Sequence, residues 1–176
     1  MKKAVMLSIN PKWCKLIESG EKVIEIRKGK PKLETPFKCY IYQTSSGKVG
    51  TGLFLGDGTE IMGRSVKNGT VIGEFTCDRV FPIRVFDNET IQDYMCNDLA
   101  ASCVPYDDIV SYIGTGNEGA GWHISNLVIY DTPKALSAFW VERVATTDYP
   151  QLTTMKRPPQ SWCYVESEEG AAHGMP

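Results

Sequence analysis

Ser19-Gly20-Glu21-Lys22-Val23-Ile24-Glu25-Ile26-Arg27-Lys28 sets three ionisable side chains, Lys22, Glu25 and Arg27, around a short apolar alternation. A period of two puts Val23, Glu25 and Arg27 on one face of a strand and Ile24 and Ile26 on the other, so a carboxylate and a guanidinium become neighbours. Immediately upstream, Asn10 can cap a helix, Pro11 suits its first turn, Trp13, Leu16 and Ile17 recur at helical spacing, and Gly20 ends it. Lys22 then falls at the turn between helix and strand. A lysine there can contact an anion, a carboxylate can activate water or a hydroxyl, and an arginine fork can bind phosphate or a base edge. The same residues can instead form a surface ion pair on an edge strand, contributing at most about 1 kcal/mol.

Charge is placed unevenly around this stretch. Residues 1–48 carry eleven Lys/Arg against four Glu, a net of +7, while the remainder carries a net of −9. A local positive field can hold a phosphate backbone in a salt-sensitive way although the whole chain is slightly acidic. The alternative is that Lys2, Lys3, Lys12, Lys15, Lys28, Lys30 and Lys32 only keep the domain soluble.

With 176 residues of ordinary composition, a single domain over 1–165 is expected, followed by a small, polar and acidic tail over 166–176 that reads as disordered. No apolar run is long enough to span a bilayer and the N-terminus lacks the apolar core of a secretory signal, so the expectation is a cytoplasmic protein without a membrane partner. The sequons at Asn68 and Asn88 then carry no meaning. Six cysteines, Cys14, Cys39, Cys77, Cys96, Cys103 and Cys163, contain no Cys-x-x-Cys pair, which argues against a zinc site and, in a cytoplasmic chain, against a disulfide framework; they read as buried thiols. The His-x-Glu and Pro-Cys-x-x-Cys segments of a zinc-dependent base deaminase do not occur. No cofactor or metal is called for.

Downstream, Gly29 to Pro36 reads as a loop and Phe37 to Gln43 as a strand. Ser45 to Thr70, with the turn pairs Asp57-Gly58 and Asn68-Gly69, reads as a hairpin or flap able to cover a cleft. Thr70 to Phe81 reads as a strand with a bulge at Gly73, which makes Glu74 a second carboxylate candidate unless it merely faces solvent. Asn88 can cap a helix reaching about Ala101, and Pro105 can open a shorter one ending at Gly114. Gly114-Thr115-Gly116-Asn117-Glu118-Gly119 spells Gly-x-Gly-x-x-Gly but follows a helix and precedes a strand, the reverse of the dinucleotide-binding context, so it reads as a connection. Trp122 to Tyr130 reads as a strand whose Trp122 can be either core or a stacking platform for a base, and His123 either an acid or base or a hydrogen-bonded structural residue. Asp131 to Pro133 reads as a turn, and Val141 to Met155 as irregular surface structure. Lys156 to Val165 reads as a closing strand that brings Ser161 and Trp162 to the seam as secondary site candidates. Short strands, turns and a few short helices make an α+β domain.

Gly20-Glu21-Lys22-Val23-Ile24-Glu25-Ile26-Arg27 resembles the Gly-x-Lys-x-x-Glu-x-Arg motif of ASCH domains, a branch of the PUA-like β-barrels associated with RNA. Met6 to Pro11, Val71 to Phe75, Trp122 to Asn126 and Pro158 to Trp162 are similar to bacterial and phage members in the same order, so the resemblance spans roughly residues 5–165. It implies a PUA-like β-barrel of mixed or antiparallel strands decorated by helices, with a cleft beside the motif. The implied partner is RNA, a nucleotide or a nucleoside: Lys22 and Arg27 would hold phosphate or a base edge, Glu25 would accept from a base or ribose hydroxyl, and Trp122 or Trp162 would stack. An ASCH-like relative hydrolyses acetylcytidine and other members are proposed ribonucleases, which makes a metal-independent hydrolase using Lys22 and Glu25 the alternative. In that relative a lysine and a threonine act; Lys22 matches the lysine, but Glu25 stands at the threonine position. A protein-interaction scaffold is the third reading.

Overall fold

The computed structural model describes residues 3–45, 69–88, 91–92, 96–144 and 150–167. Strand β1 (Lys3–Ile9) is buried on both faces from Ala4 onward, and the period of two explains how. Val5, Leu7 and Ile9 join one core cluster with Phe37, Cys39, Ile41, Phe75 and Trp122. Ala4 and Met6 point the other way, into a second cluster with Tyr40, Tyr42, Phe139 and Met155.

Helix α1 (Pro11–Glu18) follows at once, with Asn10 Oδ1 accepting from Lys12 N at 2.9 Å and Pro11 in the first turn. It turns Cys14 and Ile17 into the first cluster and half-buries Trp13. Gly20, at φ +79, makes the left-handed turn out of the helix, where a side chain would be strained. Strand β2 (Ile24–Arg27) comes next and is buried throughout. Ile24 and Ile26 share an apolar cluster with Ile83, Val85, Ile109 and Ile113, as the alternation requires.

Strands β3 (Phe37–Gln43), β4 (Thr70–Val85), β5 (Ile91–Gln92), β6 (Glu118–Lys134) and β9 (Trp162–Glu166) complete a seven-stranded mixed sheet. Its order is β2-β6-β4-β3-β1-β9, with β5 beside β4; β1 and β3 run parallel and the other pairs antiparallel. A separate hairpin, β7 (Trp140–Val144) with β8 (Pro150–Thr154), accompanies the outer cluster that Phe139 and Met155 join. Helices α2 (Cys96–Ala100) and α3 (Tyr106–Ile113) precede β6. The fold is therefore α+β, and no helix is long and apolar enough to cross a membrane among the described residues.

Four expectations change. The sheet is not a closed barrel: among the described residues no ladder joins its end strands β2 and β9, and the contact between these ends is made by the Arg27 side chain, which bonds Ser161 ahead of β9. The expected helix from Asn88 is replaced by β5 and the short α2, since Ile91 and Gln92 pair with Val85 and Arg84; Tyr94 and Met95 lie outside the described residues. Val141 to Met155 is not irregular surface structure but takes in most of the β7–β8 hairpin. The turn expected at Asp131 to Pro133 lies within β6, whose bulged pairing with β4 extends to Val71 and Lys134. The expected flap falls on 46–68, outside the described residues, and so does 168–176 of the tail. Glu166 ends β9, and it and Ser167 are buried.

Cys14, Cys39 and Cys77 are buried free thiols, with Cys103 and Cys163 half-buried. Burial pushes Cys14 and Cys77 up to about 12 and Cys163 up to about 11.

The bulge at Gly73 is a place of close approach: a Cβ there would lie 2.5 Å from the Val128 carbonyl oxygen and 3.2 Å from Ile129 Cα. Gly73→Ala should cost about 1–3 kcal/mol through overpacking, read as a lower urea midpoint; an unchanged midpoint would show that β6 yields freely.

Candidate functional site

The end of α1 and the start of β2 place Lys22 where its ammonium meets three acceptors. Its backbone N–H bonds to Leu16 O at 2.8 Å, continuing the helix end. Its Nζ donates to Ile24 O at 2.8 Å and Ser102 O at 2.7 Å and lies 3.3 Å from Glu25 Oε2. Glu25 Oε1 lies 2.9 Å from Arg27 Nη2, which also donates to Ser8 O at 2.8 Å. Arg27 Nη1 reaches Ser161 O at 3.3 Å and Ser161 Oγ at 3.2 Å. Lys22 is 1% exposed, and Glu25 and Arg27 6% each. The surface ion pair is thereby excluded: these are three buried charges in one network.

Three acceptors around Nζ require three N–H donors, so the geometry suits the ammonium form. Burial nonetheless pushes the Lys22 pKa below 10.5, opposed by the Glu25 charge. Since the folded chain releases this proton before the unfolded one, Lys22 disfavours folding while charged, and that penalty is relieved as pH rises toward 10.5. All three donors of Lys22 and four of the five N–H groups of Arg27 are committed; Arg27 Nε is buried with no partner among the described residues.

The network forms the floor of a cleft of about 320 Å³, lined also by Ser8, Asn10, Trp13, Asp108, Ile109 and Tyr112. Trp13 comes from α1 and Tyr112 from α3. Lys12 Nζ sits 4.4 Å and Lys22 Nζ 5.2 Å from the Trp13 ring centroid, and Lys28 Nζ sits 5.3 Å from that of Tyr112.

Of the residues expected at the site, Lys22, Glu25, Arg27 and Ser161 are brought together. The others are elsewhere. Trp122 has no exposed face: it is 0% exposed and packs against Phe37 and Trp162 at centroid distances of 5.7 and 6.0 Å. It cannot stack on a base, because its place on β6 opposite Glu25 turns the ring into the first core cluster. Trp162, half-buried between Trp122 and Tyr164, does not line the cleft. Glu74 on β4 is bound by Tyr130 Oη at 2.6 Å and Lys38 Nζ at 3.0 Å. Partial burial raises its pKa, but these two bonds prevail and hold it below the usual range. His123 Nδ1 lies 2.6 Å from Asp78 on the surface.

The sequence shows Trp13 as an apolar helix residue and Asn10 as a cap, not as parts of a cleft, and gives no sign of Asp108 or Tyr112 as lining residues. Asp108 and Tyr112 are four apart on α3 and share a face, one position along from the core pair Ile109 and Ile113. That spacing was readable; the docking of α3 over the motif was not.

No family model matches the sequence, and no curated protein matches it. Among solved structures the chain is similar to the ASCH protein of Zymomonas mobilis, with a TM-score of 0.57, 17% identity, and coverage of 96% of this chain and 91% of that one. A serine-to-alanine mutant of that protein matches with a TM-score of 0.60, 16% identity and coverage of 96% and 92%. A tyrosine-to-phenylalanine mutant gives 0.59, 16%, 96% and 94%. The likeness is one of fold, over nearly the whole chain.

Removing Glu25 would leave two buried cations without a counter-ion. Glu25→Ala should therefore lower the unfolding free energy by about 3–5 kcal/mol, whereas Glu74→Ala, at a half-exposed pair, should cost about 1 kcal/mol or less. Urea unfolding followed by tryptophan fluorescence separates the two, and equal losses would contradict a buried network.

Proposed function

We propose that this ASCH-like domain binds RNA, or a free nucleotide or nucleoside, by taking one base into the cleft and leaving the phosphate outside. The supporting observation is the cleft itself, whose floor is the Lys22–Glu25–Arg27 network and whose walls include two aromatic rings. A volume near 320 Å³ is at the lower end of ligand pockets, which run roughly 300–1,000 Å³. It suits a single nucleoside better than a strand.

Charge favours the same placement. Lys22 and Arg27 are balanced by Glu25 and Asp108 among the lining residues, so the cleft has no net field for a phosphate. The role foreseen for Lys22 and Arg27 as phosphate holders passes to exposed lysines outside: Lys12 and Lys28, stacked on the two aromatic walls, and Lys30 beyond them. Glu25 is left for a base amino group or ribose hydroxyl. Trp13 and Tyr112 take the stacking role foreseen for Trp122 and Trp162. Ser161 positions Arg27.

Hydrolysis of a modified nucleoside is the second reading, and one observation favours it: Glu25, though buried, lines the cleft and keeps lone pairs with which a water can be held. Against it, Lys22 has no N–H to spare for an oxyanion and would have to give one up. Chromatographic detection of cytidine released from acetylcytidine, absent in Glu25→Gln, would promote it above simple binding.

Fluorescence anisotropy with short single-stranded RNAs checks the binding reading. Trp13→Ala and Tyr112→Ala should each weaken binding by about 1–3 kcal/mol. Lys30→Gln should instead reduce the slope of log affinity against log salt by about one unit. If wild type fails to bind RNA or nucleosides, or the aromatic variants bind as it does, the reading is wrong.

A further inference from the structure

We infer that Asp108 is a specificity-determining residue of the cleft and that, together with Glu25, it selects nucleobases bearing an exocyclic amino group over those bearing a carbonyl at the same position. This assignment rests on the nucleoside reading above and adds the chemistry of the bound edge.

The uncommitted hydrogen-bonding groups of the cleft carry the assignment. On the donor side, Lys22 is exhausted and Arg27 keeps only Nε. Asn10 spends Oδ1 on its helix and keeps its amide N–H groups. On the acceptor side, each Glu25 oxygen has one cation partner and so retains a lone pair. The Asp108 carboxylate makes no hydrogen bond or ion pair among the described residues. Two carboxylates with open lone pairs thus line one small cleft, one of them buried in its floor.

An amino group placed there donates to a carboxylate in a charge-assisted bond. A carbonyl oxygen at the same position meets lone pairs instead, loses its water and gains nothing, which is how a site rejects the wrong isostere. Asp108 stands four residues before Tyr112 on the same side of α3, so a base resting on the Tyr112 ring would turn an edge toward the carboxylate. Cytosine and adenine carry the required amino group; uracil and hypoxanthine carry a carbonyl in its place.

Isothermal titration at neutral pH with cytidine against uridine, and adenosine against inosine, tests this. Each pair exchanges an amino group for a carbonyl and turns the neighbouring ring nitrogen from an acceptor into an N–H donor, so the expected preference requires the carboxylate to face the exocyclic group. Wild type should prefer the amino member by about tenfold, equivalent to about 1.4 kcal/mol. In Asp108→Ala the ratio should fall toward one, chiefly through weaker binding of cytidine and adenosine. Because Asp108 is exposed and outside the core, the variant should keep the wild-type melting transition, which circular dichroism verifies. Measurable binding with no preference in wild type, or a preference that survives in Asp108→Ala, overturns the role of Asp108 and leaves the nucleoside reading standing. Failure of all four nucleosides and of RNA to bind wild type overturns both.

Discussion

Three buried charges joined in one network govern this structure. Lys22, Glu25 and Arg27 are each under a tenth exposed, and burying isolated ions of that kind costs several kcal/mol apiece unless attraction and hydrogen bonds offset it. The offset is drawn from distant parts of the chain: Ser102 after α2, Ser8 near the end of β1, and Ser161 before β9. Those three segments are therefore held in one place by the polar needs of a ten-residue stretch. No backbone ladder joins the end strands β2 and β9 among the described residues, and the guanidinium of Arg27 reaches from β2 to Ser161 instead.

The two-sided burial of β1 and β3 follows from the same arrangement. A curved sheet with one core inside it still presents Ala4, Met6, Tyr40 and Tyr42 outward, and these residues are apolar, so that face needs cover of its own. Phe139 and Met155, which bracket the β7–β8 hairpin, supply it.

Local patterns carried the sequence reading as far as local physics reached. The cap at Asn10, the left-handed Gly20, the alternation through Arg27 and the bulge at Gly73 were all legible because each depends on neighbours a few residues away. Pairing across long separations was not. The Asn88 segment has helical spacing, yet contact with β4 made part of it a strand. Trp122 follows a glycine-rich connection and reads from sequence as either core or platform, and only its place opposite Glu25 and its complete burial reveal that it faces inward. The aromatic lining was hidden for a similar reason: Trp13 reads as an ordinary apolar helix residue, and Tyr112 becomes a wall only once α3 is seen lying over the motif. The charged floor was readable as a trio, but burial, which decides whether such a trio is a surface pair or a network, is a property of the whole fold.

The bond from Lys22 to Ser102 O has companions: Val23 and Ile24 N–H groups reach Ala101 O at 3.0 and 3.3 Å, and Cys103 Sγ approaches Glu21 O at 3.4 Å. The segment leading into α3 is thus riveted to the motif, and floor and wall belong to one rigid piece. A guest entering such a cavity orders little that was not already ordered. Its association should carry a small conformational-entropy penalty, with a heat-capacity change set by the aromatic surface covered and not by any folding of the host.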